Sequence, residues 1–184
     1  MPHLSLLQEN AVNSPWINYE TDDKNCYLNF GGHLNEDCAY NQYNLKTKDC
    51  LDNFWMMKSE YCYENILCEN DYTTRYSIFC YDCRDTYASF DCRNCSNVIG
   101  CSGLRHQQYH IYNQPVSKAE YETFVKENLN GSYKKTQEVL KKSREVWRSV
   151  PQRATFVEKS VNAVGHIINE SKNMTEEFDK DYKS

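Results

Sequence analysis

Between residues 26 and 103 the apolar and polar positions recur with a period that is neither 2 nor 3.6. Cut every six residues from Cys26, the chain reads CYLNFG, GHLNED, CAYNQY, NLKTKD, CLDNFW, MMKSEY, CYENIL, CENDYT, TRYSIF, CYDCRD, TYASFD, CRNCSN and VIGCSG. The first column carries Cys26, Cys38, Cys50, Cys62, Cys68, Cys80 and Cys92. The fourth runs from Asn29, Asn35 and Asn41 to Cys83, Ser89, Cys95 and Cys101, and every member is small and polar or a thiol. No residue is inserted or lost. A six-residue period does not keep one face of a helix, and Asn, Asp, Gly, Thr and Tyr stand where helix formers would be needed. A fixed short period is the mark of a solenoid whose coils stack, and the pattern predicts a parallel β-solenoid over residues 17–116. Equivalent positions then lie about 4.8 Å apart, so columns one and four fill a narrow interior and the tyrosines cover the outside. Whether two, three or four hexads close a coil stays open; the twelve-residue return of Cys favours an even number.

After Leu104 the pattern fades. Ser117-Lys-Ala-Glu120 forms a capping box, followed by Tyr121, Phe124, Val125 and Leu129 at helical spacing, with Asn130-Gly131 as the stop. A second amphipathic run, Ser132 to Val150, places Val139, Leu140, Val146, Trp147 and Val150 on one side, and Pro151 ends it. This helical hairpin, residues 117–151, is expected to protect one end of the solenoid. Residues 152–178 return to small, polar and β-branched residues and read as one or two solenoid-like strands without cysteine. Residues 1–16 form a lead-in, and 179–184 a disordered tail.

Composition sharpens this picture. The 184-residue chain carries a net charge of −5, unevenly spread: residues 1–116 hold 8 Lys/Arg against 15 Asp/Glu, and residues 117–160 hold 10 against 6. An acidic front half disfavours nucleic acid, since phosphate neutralisation needs clustered cations. No stretch reaches the length of a membrane span, and the N-terminus lacks a secretory pattern. The chain therefore reads as cytoplasmic or as part of an assembled particle, a reducing setting in which its ten cysteines are thiols or metal ligands.

The candidate chemistry lies in two C-x-x-C pairs, Cys80/Cys83 and Cys92/Cys95, which could present four thiolates to zinc. The hexad already accounts for all four, so core ladders are the preferred reading and zinc the alternative. Cys92, Cys95, His106 and His110 also approach a zinc-finger spacing, although the second pair sits in a β-rich context. His33 and His166 read as surface or solenoid positions, and His3 lies in the lead-in. No cysteine is singled out with a base, and no phosphate loop or small-molecule substrate site is evident. The expectation is a non-enzymatic structural or interaction protein without a cofactor, taking a protein partner or a second copy through its tyrosine-rich exterior. Within the core, replacing Cys50 by Ser is expected to cost more than replacing it by Ala, because the hydroxyl would be buried with uncertain partners.

The segments KNCYLNFGGHLNEDCAYNQY, KDCLDNFW, SEYCYE, FDCRNCSNVIGC and GLRHQQYHIYNQPVSKAEY resemble a family of cysteine-rich hexad-repeat proteins of uncultured bacteria and their phages. The resemblance covers about residues 15–178 and implies the solenoid. Longer relatives look as if they carry a leading zinc ribbon and resume Asn-Cys repeats after the helices. This chain has no ribbon, and holds Val161, Ala163 and Met174 where thiols would be expected, so it reads as a short or truncated member. The resemblance implies no activity.

Overall fold

The computed structural model describes residues 7–152, 156–158, 161–169 and 172–181, apart from Asp71, Cys83 and Cys95, with no side chain for Cys68 or, beyond Gln152, for any residue but Val161. It forms two compact units, 1–150 and 151–184.

The first unit is a parallel β-solenoid of about eight coils followed by two helices. Its strands are β1 (Gln8–Glu9), β2 (Trp16–Thr21), β3 (Tyr27–His33), β4 (Gln42–Leu45), β5 (Phe54–Met57), β6 (Ile66–Glu69), β7 (Thr74–Arg75), β8 (Arg84–Tyr87), β9 (Ser96–Ile99) and β10 (Gln108–Ile111). From Asn18 onward the strands pair with a shift of twelve: Phe30 with Gln42, Gln42 with Phe54, Phe54 with Ile66, Ile66 with Ile78, Ile78 with Phe90. Two hexads therefore make one coil. The first coil already begins at β1, whose Gln8 pairs with Glu20, and the last reaches β10, past the point where the sequence pattern fades.

The local unit is smaller than the hexad. Asp37, Tyr40, Tyr43, Lys46, Asp49, Asp52, Trp55 and Lys58 all have φ between 51° and 60°, so every third residue is left-handed. A left-handed residue bends the chain, and the next side chain points inward: Cys38, Asn41, Asn44, Thr47, Cys50, Asn53, Met56 and Ser59 are all buried. Four such bends close each coil. Asn, Asp and Gly tolerate this conformation, whereas Leu28, Trp55 and Phe79 adopt it at a cost of about 1–2 kcal/mol each. Continuous backbone bonding between coils offsets that cost, as in Asp37 N to Lys24 O at 3.0 Å and Lys46 N to His33 O at 2.9 Å.

After β10 the chain folds back as β11 (Gln114–Pro115), antiparallel to it, and enters α1 (Lys118–Asn128) through the expected capping box between Ser117 and Glu120. α2 (Tyr133–Ser149) follows. The helices do not close an end of the solenoid. They lie along the flank of its later coils, where Tyr87, Ala88 and Ile99 pack with Tyr121, Val139 and Leu140. Side-chain size decides this site. The outward column Tyr76, Ala88, Gly100, Tyr112 narrows to Ala and Gly at its centre, and a Cβ on Gly100 would stand 2.6 Å from Ser143 Oγ of α2. Trp147 Nε1 then donates to Ala88 O at 3.1 Å.

The second unit is one parallel sheet, β12 (Phe156–Glu158), β13 (Val161–Asn169) and β14 (Lys172–Asp181), three strands where one or two were expected. Their register advances by eleven residues, Val161 facing Lys172, and by twelve beyond Gly165, which faces Glu177. β14 runs into the segment read as a disordered tail; residues 182–184 lie outside the described residues.

Candidate functional site

Buried ladders of side chains run along the inside of the solenoid. One stacks Cys26, Cys38, Cys50 and Cys62, each at most 2 % exposed, and continues as Thr74, Thr86, Val98 and His110. Each thiol donates to the carbonyl two residues back: Cys38 Sγ to Glu36 O at 3.1 Å, Cys50 Sγ to Lys48 O at 3.1 Å. Hydrogen bonding with Cys38, joined at Cys50 by hydrogen bonding with Cys62, and then burial push the Cys26 and Cys50 thiols up, away from the thiolate, so they act as small core groups rather than nucleophiles.

This geometry reverses one expectation. Inward serines make the same short-range bond, Ser59 Oγ to Met57 O at 3.3 Å and Ser89 Oγ to Tyr87 O at 3.1 Å, so a hydroxyl at position 50 would find its partner waiting. Cys50→Ser should cost about 1 kcal/mol or less, and Cys50→Ala about 1–2 kcal/mol through the lost bond and void. Urea midpoints of both variants check the order; Ser below Ala would show that this ladder lacks the acceptors described.

Of the four cysteines expected as zinc ligands, Cys80 and Cys92 are buried one coil apart on the same ladder, while Cys83 and Cys95 lie outside the described residues. Among the described residues no three His, Cys, Asp or Glu side chains gather as a metal set. The finger-like string is not brought together. Cys92 faces inward on one ladder, His110 on another with Nδ1 2.8 Å from Gln108 O, and His106 occupies an exposed left-handed corner. Their separation follows from the coil: residues whose spacing is not a multiple of twelve fall on different columns. His33 lies at the surface, hydrogen-bonded to Thr21 Oγ1; the side chain of His166 and all of His3 lie outside the described residues.

A feature that the sequence reading missed is a buried carboxyl pair in the early coils. Glu20 and Asp23 face inward, each 1 % exposed. Asn35 Nδ2 donates to Glu20 Oε2 at 3.0 Å and Asn35 N to Asp23 Oδ1 at 2.8 Å, which leaves Asp23 Oδ2 without another partner. A protonated Glu20 supplies that partner. Burial first, then hydrogen bonding and repulsion from Asp23, push the Glu20 carboxyl up to about 9. The folded chain therefore holds a proton that the unfolded chain releases above about 4.5. This contribution to stability is full below that value and is lost as pH rises towards 9. Glu20→Gln should flatten the decline; urea midpoints at pH 5, 7 and 9 that fall as steeply in the variant would remove the shared proton from the account. The signal was present in the register, since Glu20 and Asp23 continue the inward columns one step before Cys26.

The outer face divides in two. Over the later coils three outward columns lie beneath α1 and α2. Over the earlier coils the same columns are bare, and Tyr27, Tyr40 and Leu51 are 45 %, 52 % and 39 % exposed against 7 % for Tyr87 and 0 % for Ile99. Where the covered and bare parts meet, a cavity of about 470 Å³ opens between Tyr61, Tyr63, Tyr76 and Tyr87 of the solenoid and Leu129 and Tyr133 of the helical pair. Its rings meet edge to face, Tyr63–Tyr76 and Tyr76–Tyr87 both at 5.4 Å between centroids. Hydrogen bonding to Glu64 and then burial push the Tyr63 phenol up to about 12. No helix of the described residues is long and apolar enough to cross a membrane. Set against known proteins, the chain matches no family model, no curated protein and no solved structure.

Proposed function

We propose that the chain is a non-enzymatic scaffold: a β-solenoid that presents the bare flank of its earlier coils to another protein within a larger assembly, such as a phage particle. The observation that carries this reading is the division of one face. The same columns are sealed by helices over the later coils and left with exposed aromatic rings over the earlier ones. Exposed aromatic clusters on a rigid, hydrogen-bonded frame are the usual anchors of protein interfaces. The particle context is suggested by the resemblance of the repeat motifs.

Light scattering after size exclusion tests the reading. The chain should associate, with itself or with a co-purified partner, and Tyr40→Asp should abolish association while leaving the urea midpoint nearly unchanged. Asp suits the left-handed backbone at that position, where φ is 57°. A strict monomer at high concentration that co-purifies with nothing would overturn it.

Zinc binding through the C-x-x-C pairs is the second reading, carried by their spacing; of the four, Cys80 and Cys92 lie buried one coil apart on one ladder. Structural zinc supplies folding free energy, so one equivalent of metal whose chelation unfolds the chain would establish it.

A further inference from the structure

Columns that turn towards the helices on the later coils can be followed back along the solenoid. Beneath α1 and α2 they carry Asp85, Tyr87, Ala88, Ile99, Gly100 and Tyr109. Four coils earlier the same three columns hold Asn25, Asp37, Asp49 and Tyr61; Tyr27, Ala39, Leu51 and Tyr63; and Leu28, Tyr40, Asp52 and Glu64. The central column is apolar from Tyr27 to Tyr63, and the exposed Arg75 stands between that stretch and Tyr87. The flanking columns carry four carboxylates and no cation. On the next column round, Lys24 and Lys48 lie 2.7 Å and 3.6 Å from Glu36 and Glu60 follows them, two cations against two carboxylates, so that column adds no net charge to offset the acidic rim. The element already seated on this face, α2, is basic and amphipathic: Val139, Leu140 and Ser143 are buried while Lys134, Lys141, Lys142, Arg144 and Arg148 are exposed.

We propose that the bare strip from Tyr27 to Tyr63 is the seat for a basic amphipathic helix of a partner protein, which extends the helical layer begun by α1 and α2. This names the kind of partner for the scaffold reading above and rests on it. Two independent features select the occupant. Continuity with the α1/α2 interface calls for a helix with an apolar stripe to cover the Tyr27–Tyr63 column, and the uncompensated rim calls for Lys or Arg beside that stripe. The strip spans three coil steps, about 14 Å at the spacing of paired strands, which roughly nine residues of helix would cover. The later coils differ in seating α2 on Ala88 and Gly100. Tyr40 and Asp52 hold those places here, so the new helix would rest on rings rather than sink into a trough.

The test uses two fluorescein-labelled model helices of about eighteen residues with an identical leucine stripe, one flanked by Lys and the other by Glu. Fluorescence anisotropy with the full chain should show the Lys helix binding at least about tenfold more tightly than the Glu twin, with the gap narrowing at high salt. Asp49→Lys with Asp52→Lys should reverse the preference; lysine is already accommodated at left-handed corners, at Lys46 and Lys58. The charge-matched change Glu69→Lys with Asp82→Lys, on the opposite side of the coil, should leave it as it was. Equal binding of both helices, binding of neither, or an unchanged ratio in the Asp49/Asp52 variant would overturn the proposal. So would a dimer of the chain that depends on Tyr40 and is not dissolved by the Lys helix. If association is lost in Tyr40→Asp while neither model helix binds, the scaffold reading survives and the helical partner does not.

Discussion

Asn53→Ala should lower the unfolding free energy by about 2–4 kcal/mol, the largest loss expected from any side-chain truncation in the solenoid. Asn29, Asn41, Asn53 and Asn65 stack on one inward ladder, and the amide nitrogens of Asn41, Asn53 and Asn65 each donate twice. Asn53 Nδ2 donates to Asn41 Oδ1 at 3.0 Å in the preceding coil and to Cys62 O at 3.1 Å in its own. Its Oδ1 accepts both Asn65 N and Asn65 Nδ2 at 3.1 Å. Truncation strips Asn65 N of its partner at a depth that water does not reach, which costs about 1–3 kcal/mol. It also removes one of two donors from Cys62 O, which keeps Leu51 N at 2.9 Å, and one of two acceptors from Asn65 Nδ2, which keeps Thr74 O at 2.7 Å. Asn41 Oδ1 keeps the backbone of residue 53, at 3.0 Å, which limits the damage to one side. Asn53→Asp is the sharper comparison. It preserves shape but turns the donor into an acceptor facing Asn41 Oδ1 and Cys62 O, so its deficit should deepen as the pH is raised and the new carboxyl ionises. Urea midpoints with an unchanged m-value measure both. A loss below about 1 kcal/mol for Asn53→Ala would mean that water reaches this ladder.

Gly32→Ala should cost at least about 3 kcal/mol, by overpacking rather than by backbone strain. Gly32 occupies an inward position between Glu20 and Asn44, and a Cβ there would collide with Asn44 O while standing 2.6 Å from Glu20 Oε2 and 2.7 Å from Asn35 Nδ2. Of these the carbonyl cannot move without opening the coil. The amide could move only by giving up its bonds to Glu20 Oε2 at 3.0 Å and Asn44 O at 3.2 Å. Shortening Glu20 to Ala in the same chain relieves one contact and leaves the other, so the double variant should recover part of the loss, and a double-mutant cycle should give a clear coupling. Gly131→Ala is the internal control. Its φ is 87° and nothing lies within 4 Å of the added methyl, so only left-handed strain remains, about 1 kcal/mol. Equal effects at the two glycines would show that space at Gly32 is not what holds it to glycine.

The sequence by itself determined the register of this protein. A column that reads Asn29, Asn35, Asn41, Thr47, Asn53 without a slip can be satisfied only by stacked coils, because a one-residue shift would expose the amides and bury the tyrosines. The start of α1 and the apolar stripe of α2 were legible for the same reason: capping and helical spacing are local, set by residues within four positions of one another. What closes a coil is not local. Whether two, three or four hexads make a turn depends on the bend at each left-handed corner and on which distant carbonyl each amide then meets. Asn and Asp at Asp37, Asp49 and Asp52 hint at those corners, but Tyr40, Tyr43 and Trp55 adopt the same backbone, so residue type alone hides the three-residue rhythm. The separation of Cys92, His106 and His110, and the pairing of Glu20 with Asp23, follow only once the turn is known to hold twelve residues. The docking of the helices was also decided by tertiary structure. Their apolar stripes require a cover, and either an end or a flank of the solenoid would supply one. The shallow trough at Ala88 and Gly100 selects the flank, because only there can α2 approach closely enough for Trp147 to reach a backbone carbonyl.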